Sequence, residues 1–486
     1  MRKNISILDQ YKDYAVNIGI EIHVQLTTKS KLFCASAHEQ SEKPNSNICS
    51  ICAGHPGVLP VLNKKAVDYA ILAGLATDCS ISKLCSFARK HYFYPDLPKG
   101  FQTTQGDIPI CTEGFIYIRL DDGSEKKIRL TRIHIEEDAG KNIHASGSDE
   151  SFVDLNRAGT PLLEIVSYPD IESTDEAKSY LKTIHTLVQY LNICSGNMQE
   201  GAFRADTNIS VRKKNNPELG TRCELKNINS FKFITDAIEY EIQRQIELIE
   251  SGKPVDQETR LWDTKKNVSR SMRSKEDAQD YRYFSEPDLP SIVVSEEWIA
   301  RMQKTMPELP RVKQQRLIND YGLLLEQADI IVNDLALVQY FEKAAQHTKS
   351  KRLINWILRD LMAYVKEFKI SLFSCRVTPQ KIAQIVDLLD QNKINNNAAS
   401  QIFLAIAESG GEPAALIEQM GLQQIGSMED LEKIIQEIIA KNPNQVEQFK
   451  NGKQKLFGFF VGQAMQKTKG NADPKVLQEL IKKYLK

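Results

Sequence analysis

Between Ala15 and Leu26 apolar and polar residues alternate without a slip. Val16, Ile18, Ile20, Ile22, Val24 and Leu26 share one face, and Asn17, Gly19, Glu21, His23 and Gln25 the other, the period of a half-buried strand. The same alternation predicts strands at Arg132–Glu137, Phe203–Arg212 and Thr221–Lys226. Their polar faces carry Arg132, His134 and Glu136, then Arg204, Asp206 and Asn208, then Arg222, Glu224 and Lys226. One-sided polarity of this kind suits an antiparallel sheet. Three helices interrupt it. Ser173–Glu176 forms a capping box ahead of Ala177, Tyr180, Leu181, Ile184, Val188 and Leu191. Ile234, Ile238, Ile242, Ile246 and Ile249 mark a second helix, stopped by Gly252, and Asn63–Ala76 reads as a third. Beyond Met306–Pro310 the pattern becomes almost wholly helical, with a break at Ser409–Pro413. The chain therefore reads as α+β, with boundaries near 295–310 and near 410.

Composition changes this picture little. The 486 residues suit two to four domains, and 41% hydrophobic with 26% charged residues is ordinary for a globular chain. Lys plus Arg equal Asp plus Glu at 63 each, which excludes a general polyanion binder. Any nucleic-acid contact must be local, and residues 441–486, with 10 Lys against 3 acidic residues, are the candidate. There, Lys453, Lys455, Lys467 and Lys469 surround Phe457–Gly462, a pattern that suits phosphate contact or a plain amphipathic helix equally. Nine scattered cysteines fit a reducing compartment, and neither a secretory signal nor an apolar run of about 18 residues is present, so the cytosol is expected.

Three sets of residues carry candidate chemistry. Glu21 and His23 project from one strand face, Glu136 and Glu137 end a second strand, and Glu224 lies on a third. Glu164 sits inside apolar Pro161–Val166, where a lone carboxylate needs a cation, a donor or a proton. An oxygen-rich group of this kind suits Mg²⁺. Cys49 and Cys52 form a Cys-x-x-Cys knuckle with Cys34 upstream, three zinc-type ligands, with Ser36, His38 or His55 open as the fourth. No glycine-rich phosphate loop is present. Arg89, Lys90 and Lys99 flank the aromatic run His91–Tyr94, and with Arg204, Arg222 and Lys226 they are cations able to clamp phosphate or carboxylate.

A resemblance takes these residues further. Gly19–Leu26, Pro56–Asn63, Tyr92–Gly100, His134–Lys141, Val153–Pro161 and Glu200–Asn208 resemble, in order, motifs of the B subunits of aspartyl/glutamyl-tRNA amidotransferases. Glu224–Asn227, Gln257–Arg260, Asp280–Phe284 and Gly458–Gln463 continue the match. The resemblance implies a cradle-like catalytic domain on an antiparallel sheet (1–300), a helical domain (301–410) and a small helical tRNA-binding tail (411–486). It implies that ATP phosphorylates the side-chain carboxylate of glutamate misesterified to tRNA(Gln), or aspartate to tRNA(Asn). Ammonia from a glutaminase A subunit then gives the amide, with a C subunit completing a heterotrimer. By resemblance Glu21, His23, Glu136, Glu164 and Glu224 hold Mg²⁺, while Arg204 and Asp206 contact substrate or phosphate. Zinc-bearing members carry Cys-x-Cys before the knuckle; here that pair reads Cys34-Ala-Ser36, leaving Cys34, Cys49 and Cys52 as candidate zinc ligands.

Overall fold

A computed structural model of the chain describes residues 10–39, 41–144, 150–228, 230–273, 280–423, 428–468, 472 and 474–485. The chain divides into two units, Met1–Pro310 and Arg311–Lys486.

The first unit is built on a 12-stranded sheet. Its strands are β1 (Tyr14–Gln25), β2 (Ala88–His91), β3 (Phe101–Thr104), β4 (Cys111–Arg119), β5 (Glu125–Glu137) and β6 (Pro161–Ser167). They continue with β7 (Phe203–Lys213), β8 (Cys223–Ile228), β9 (Thr259–Asp263), β10 (Val268–Arg273) and β11 (Phe284–Ser285). The order is β10-β9-β8-β7-β1-β6-β5-β3-β2-β11; β4 pairs with β5, and the short strand Ser80–Ile81 with β4. Pairing is antiparallel except between β8 and β9, which run parallel. The alternation expected at Ala15–Leu26 is observed: Val16, Ile18, Ile20, Ile22 and Val24 are all 2% exposed or less. Thr221 and Arg222 lie just outside β8 rather than in it.

Helices cover the apolar face. Asn63 caps Lys64–Ala76 by accepting from the Lys65 amide at 2.9 Å. Ser173 accepts from the Glu176 amide at 3.2 Å, and the Glu176 carboxylate accepts from the Glu172 amide at 2.7 Å, fixing the start of Thr174–Tyr190. Ser230 caps Phe231–Glu250, and Gly252, at φ +73°, ends it in the left-handed region. Ile234, Ile238, Ile242 and Ile246 from that helix join the core with β7 and β8. Truncating one, as in Ile242→Ala, is expected to cost about 2–5 kcal/mol. With one sheet face sealed this way, the polar face is left to form a cleft.

The second unit is helical. Its last four helices, Met428–Lys441, Pro443–Lys450, Leu456–Lys467 and Pro474–Leu485, close on a core of their own that includes Leu431, Ile435, Phe460, Leu477 and Ile481. Lys467 there is ion-paired with Glu437, and Lys469 lies outside the described residues. No helix among the described residues is long and apolar enough to cross a membrane.

Candidate active site

Register places the polar residues of four strands in rows. Arg204 on β7 lies opposite His23 on β1, His23 opposite Glu164 on β6, and Glu164 opposite His134 on β5. Cross-strand partners share a sheet face, so these four side chains line up on the polar side. A second row runs Asp206, Glu21, Val166, Arg132, and a third carries Gln25, Leu162 and Glu136. Strand periodicity thus becomes a compact cluster.

At its centre His23 Nε2 lies 3.5 Å from Glu136 Oε1 and 3.6 Å from Glu164 Oε2. His134 Nε2 lies 3.2 Å from the same Glu164 oxygen and 3.7 Å from Glu136. Burial alone would raise the Glu164 carboxyl, but the charge and hydrogen bond of His134, then those of His23, hold it well below the usual range. Conversely, burial opposes charge on His134, yet Glu164 and Glu136 push it up to about 9. Burial opposes charge on His23 too, and Glu164 again outweighs it. Glu21 stands apart. Burial, then the like charges of Glu164, Glu224 and Asp206, raise its carboxyl, which accepts from Asn208 Nδ2 at 2.9 Å. Glu224 is held by Thr259 Oγ1 at 2.8 Å and Lys226 Nζ at 2.8 Å, and Lys226 also bonds Asp206 at 3.1 Å.

The cluster floors a cleft with two lobes, of about 870 and 1120 Å³, which share His23, Lys90, Tyr92, Glu136, Glu164 and Lys226. The smaller lobe contains Arg204, fixed by Asp138 at 2.9 Å; Asp138 also meets Arg157 at 3.5 Å and Gln25 at 3.1 Å. Burial works against the Asp138 carboxylate, but Arg204 and Arg157 hold its carboxyl below the usual value.

Of the residues singled out from sequence, His23, Glu136 and Glu164 converge with their ligand atoms within 4.8 Å. Donors around one Mg²⁺ lie roughly 3–4 Å apart, so two carboxylates and an imidazole at these spacings fit such an ion. Glu21, Asp206, Glu224 and Arg204 line the cleft beside them. The three aromatic-flanked cations separate. Lys90 lines both lobes. Arg89 makes a two-pronged pair with Glu286, at 2.9 and 2.7 Å, and also meets Asp288. Lys99 is ion-paired with Glu137. Neither Arg89 nor Lys99 lines the two lobes, and each is engaged by a carboxylate. Sequence reasoning missed His134 and Asp138 as members of the site. His134 lay in plain view on the face of Glu136, but Asp138 lies past the strand end, where periodicity no longer assigns a direction.

Away from the cleft floor, Cys34, Cys49 and Cys52 offer sulfurs within 4.8 Å of one another. Cys49 and Cys52 Sγ are 3.9 Å apart, close to the roughly 3.8 Å that zinc–sulfur bonds of about 2.3 Å impose in a tetrahedron. The hydrogen bond from Cys34, helped by the Cys49 amide at 3.1 Å and the Lys31 ammonium at 3.5 Å, pulls the Cys52 thiol down to about 4. Ser36 Oγ is 3.9 Å from Cys52 Sγ, whereas His38 bonds the Thr28 carbonyl instead. Three sulfurs at these spacings suit zinc, with the fourth corner open.

A sheet that gathers carboxylates, histidines and arginines in one cleft defines a class, and the comparisons identify it. Residues 16–300 match the GatB/GatE catalytic domain, and residues 339–485 match the GatB domain. The chain is 49% identical over 473 residues to the B subunit of the aspartyl/glutamyl-tRNA(Asn/Gln) amidotransferase of Syntrophotalea carbinolica, spanning 97% of this chain and 98% of that one. It is 50% identical over 469 residues to the corresponding protein of Trichlorobacter lovleyi, spanning 96% and 98%, and 48% identical over 474 residues to that of Myxococcus xanthus, spanning 97% and 99%. The chain belongs to the family of aspartyl/glutamyl-tRNA(Asn/Gln) amidotransferase B subunits.

Proposed function

We propose that this chain activates and amidates the side-chain carboxylate of glutamate misesterified to tRNA(Gln), of aspartate misesterified to tRNA(Asn), or of both. In the first step a carboxylate oxygen takes the γ-phosphoryl group of ATP and ADP leaves. In the second, the nitrogen of ammonia attacks the acyl carbon, phosphate departs, and the nitrogen gives up a proton to become the amide. The observation that carries this reading is the convergence of His23, Glu136 and Glu164 on the floor of a cleft also lined by Lys90, Arg204 and Lys226.

Phosphoryl transfer asks chiefly for positioning and charge stabilisation. Glu136, Glu164 and His23 would hold Mg²⁺, with Glu21 and Glu224 extending the acidic ring. An ion held there would supply positive charge to offset that of the phosphate oxygens. His134 braces Glu164 from the buried side. Arg204, kept in place by Asp138, is suited to the substrate carboxylate. Asp206 positions Lys226 beside it. Of the cations proposed for the nucleotide, Lys90 faces the cleft, while Arg89 and Lys99 act as braces of its wall.

An acyl phosphate is readily hydrolysed, so ammonia must arrive shielded from water. This is the reason to place the chain in a cytoplasmic heterotrimer, with an A subunit that frees ammonia from glutamine and a C subunit that joins the two. Residues 411–486 are assigned to grip the tRNA, and Cys34, Cys49 and Cys52 to a structural zinc. The test is amide formation by the assembled complex with Glu164→Gln in this chain and ammonium chloride as nitrogen source. An enzyme loses product while the fold and complex persist; full activity would instead make this chain a tRNA-binding scaffold.

A further inference from the structure

The cysteine knuckle touches the cleft wall through one buried cation. Lys31 is 0% exposed, and among the described residues no carboxylate lies within ion-pair distance of it. Its ammonium donates instead to Cys52 Sγ at 3.5 Å and to the Leu155 carbonyl at 3.2 Å. A buried ammonium that loses an acceptor carries the desolvation cost of the unmet donor. Around this contact the knuckle loop and the segment 153–159 are laced together. The Leu155 amide donates to Asn45 Oδ1 at 2.8 Å, Asn45 Nδ2 to the Val153 carbonyl at 2.8 Å, and the Asn47 amide to Asn156 Oδ1 at 2.9 Å. Gly159 lies against both Lys31 and Cys52, and its amide donates to the Asp138 carbonyl at 2.9 Å. Arg157 of the same segment meets the Asp138 carboxylate, which anchors Arg204. Contacts therefore run without a break from Cys52 to the anchor of Arg204.

The sulfur of Cys52 has a second neighbour. Cys49 and Cys52 share one turn, closed by the Ala53 amide donating to the Cys49 carbonyl at 2.9 Å, and their Sγ atoms are 3.9 Å apart. A disulfide needs about 2.05 Å between sulfurs, a gap that side-chain rotation within one turn can close. Cys49 is half-buried and within reach of a small oxidant, whereas Cys52 is buried. One accessible thiol beside one sheltered thiol lets the first be oxidised and the second resolve it.

We propose that Cys49 and Cys52 form a peroxide-oxidisable pair whose disulfide slackens the anchor of Arg204. The Cys49 sulfur attacks one peroxide oxygen, the O–O bond breaks, and the other oxygen leaves as water. The Cys52 sulfur then attacks the resulting sulfenic sulfur, the S–O bond breaks, and a second water leaves. Two thiols give up two electrons and two protons, and one peroxide becomes two waters. The bonded Cys52 sulfur is a poorer acceptor, so Lys31 keeps only the Leu155 carbonyl and the segment that fixes Asp138 loosens. Zinc held by the three sulfurs would compete with the oxidant for the same atoms. The chemistry is independent of the ATP-dependent reading and shares only these sulfurs with the zinc assignment.

The experiment treats the full chain with hydrogen peroxide, both as purified and after zinc removal by a chelator. Alkylation and peptide mass spectrometry read the cysteines, and hydrogen exchange follows the Leu155 and Gly159 amides. The expected product is a Cys49–Cys52 bond, two hydrogens lighter and reversed by dithiothreitol. Exchange at both amides should rise about tenfold on oxidation while amides within β1 hold. Cys49→Ser should abolish both changes, and Cys34→Ser should keep them. Reversal by dithiothreitol carries the test on wild type if a variant does not fold. A bond through Cys34, a lone sulfinic acid, or thiols left unmodified would overturn the pair. A disulfide with unchanged exchange would overturn the link to Arg204. A disulfide in protein purified without zinc supports the pair and removes the metal assignment. Zinc-bearing protein that forms no disulfide even after chelation overturns the pair and leaves the metal assignment standing.

Discussion

Glu286→Gln tests whether Arg89 is a brace of the cleft wall rather than a phosphate ligand. β11 joins the sheet through only two register pairs, Phe284 with Arg89 and Ser285 with Ala88. The two-pronged pair adds to the hold on this short edge; in it the Glu286 side chain is 2% exposed and that of Arg89 19%. Glutamine keeps the shape but removes the charge and turns one donor toward a guanidinium N–H. Removing one partner of a buried pair costs about 3–5 kcal/mol. Asp288 remains 3.0 Å from Arg89 and partly in solvent, which reduces the expected loss to roughly 2–3 kcal/mol. That loss appears as local opening, read by hydrogen exchange of the full chain. The Glu286 amide, bonded to the Phe87 carbonyl, and the His91 amide, bonded to the Tyr281 carbonyl, should exchange roughly 30- to 150-fold faster. Amides within β1 should not change. Burial opposes the Glu286 charge, but Arg89 holds its carboxyl below the usual value. A depressed folded value gives stability that is complete above the ordinary glutamate value and is lost as pH falls through the depressed one. The difference between wild type and variant should therefore persist at neutral pH and shrink below about pH 4. Equal exchange at neutral pH, within about threefold, would refute this account of the wall.

Other consequences follow from the same geometry. Glu164→Gln should lower amide formation by at least about 100-fold with unchanged assembly, whereas retention of activity would remove Glu164 from the metal site. Asp138→Asn frees Arg204 and should raise KM for misacylated tRNA more than it lowers kcat; an equal fall in kcat alone would place Arg204 elsewhere in the reaction. Deleting residues 411–486 should weaken tRNA binding and spare the glutaminase activity of the proposed A subunit, and unchanged tRNA affinity would contradict the role given to the tail. Protein purified without chelator should retain zinc, Ser36→Cys should hold it more tightly, and zinc-free protein would remove the structural-metal proposal.

Much of the sheet was legible because strand periodicity is local. The faces of β1, β5 and β7 could be read residue by residue, and Glu164 stood out as a charge among apolar neighbours. Register was not legible: nothing local states that His23 lies opposite both Arg204 and Glu164. Pairing across long sequence distances was equally hidden. The ion pairs of Arg89 with Glu286, 197 residues away, and of Lys99 with Glu137 are examples. The parallel pairing of β8 with β9 also escaped, since a half-buried strand reads the same in either direction. The buried ion pairs of Glu258 with Arg260, and of Arg260 with Glu241 at 3.5 Å, surround that parallel pair.

The central claim is that the phosphoryl-transfer step resides on the His23–Glu136–Glu164 floor. It is tested most directly by ADP release from the complex reconstituted with the A and C subunits proposed above. The assay supplies Mg²⁺, ATP and ammonium chloride without glutamine, with and without glutamyl-tRNA(Gln). ADP release that requires the misacylated tRNA and vanishes in Glu136→Gln is the predicted result. Release that ignores the misacylated tRNA, or that survives Glu136→Gln, would contradict it.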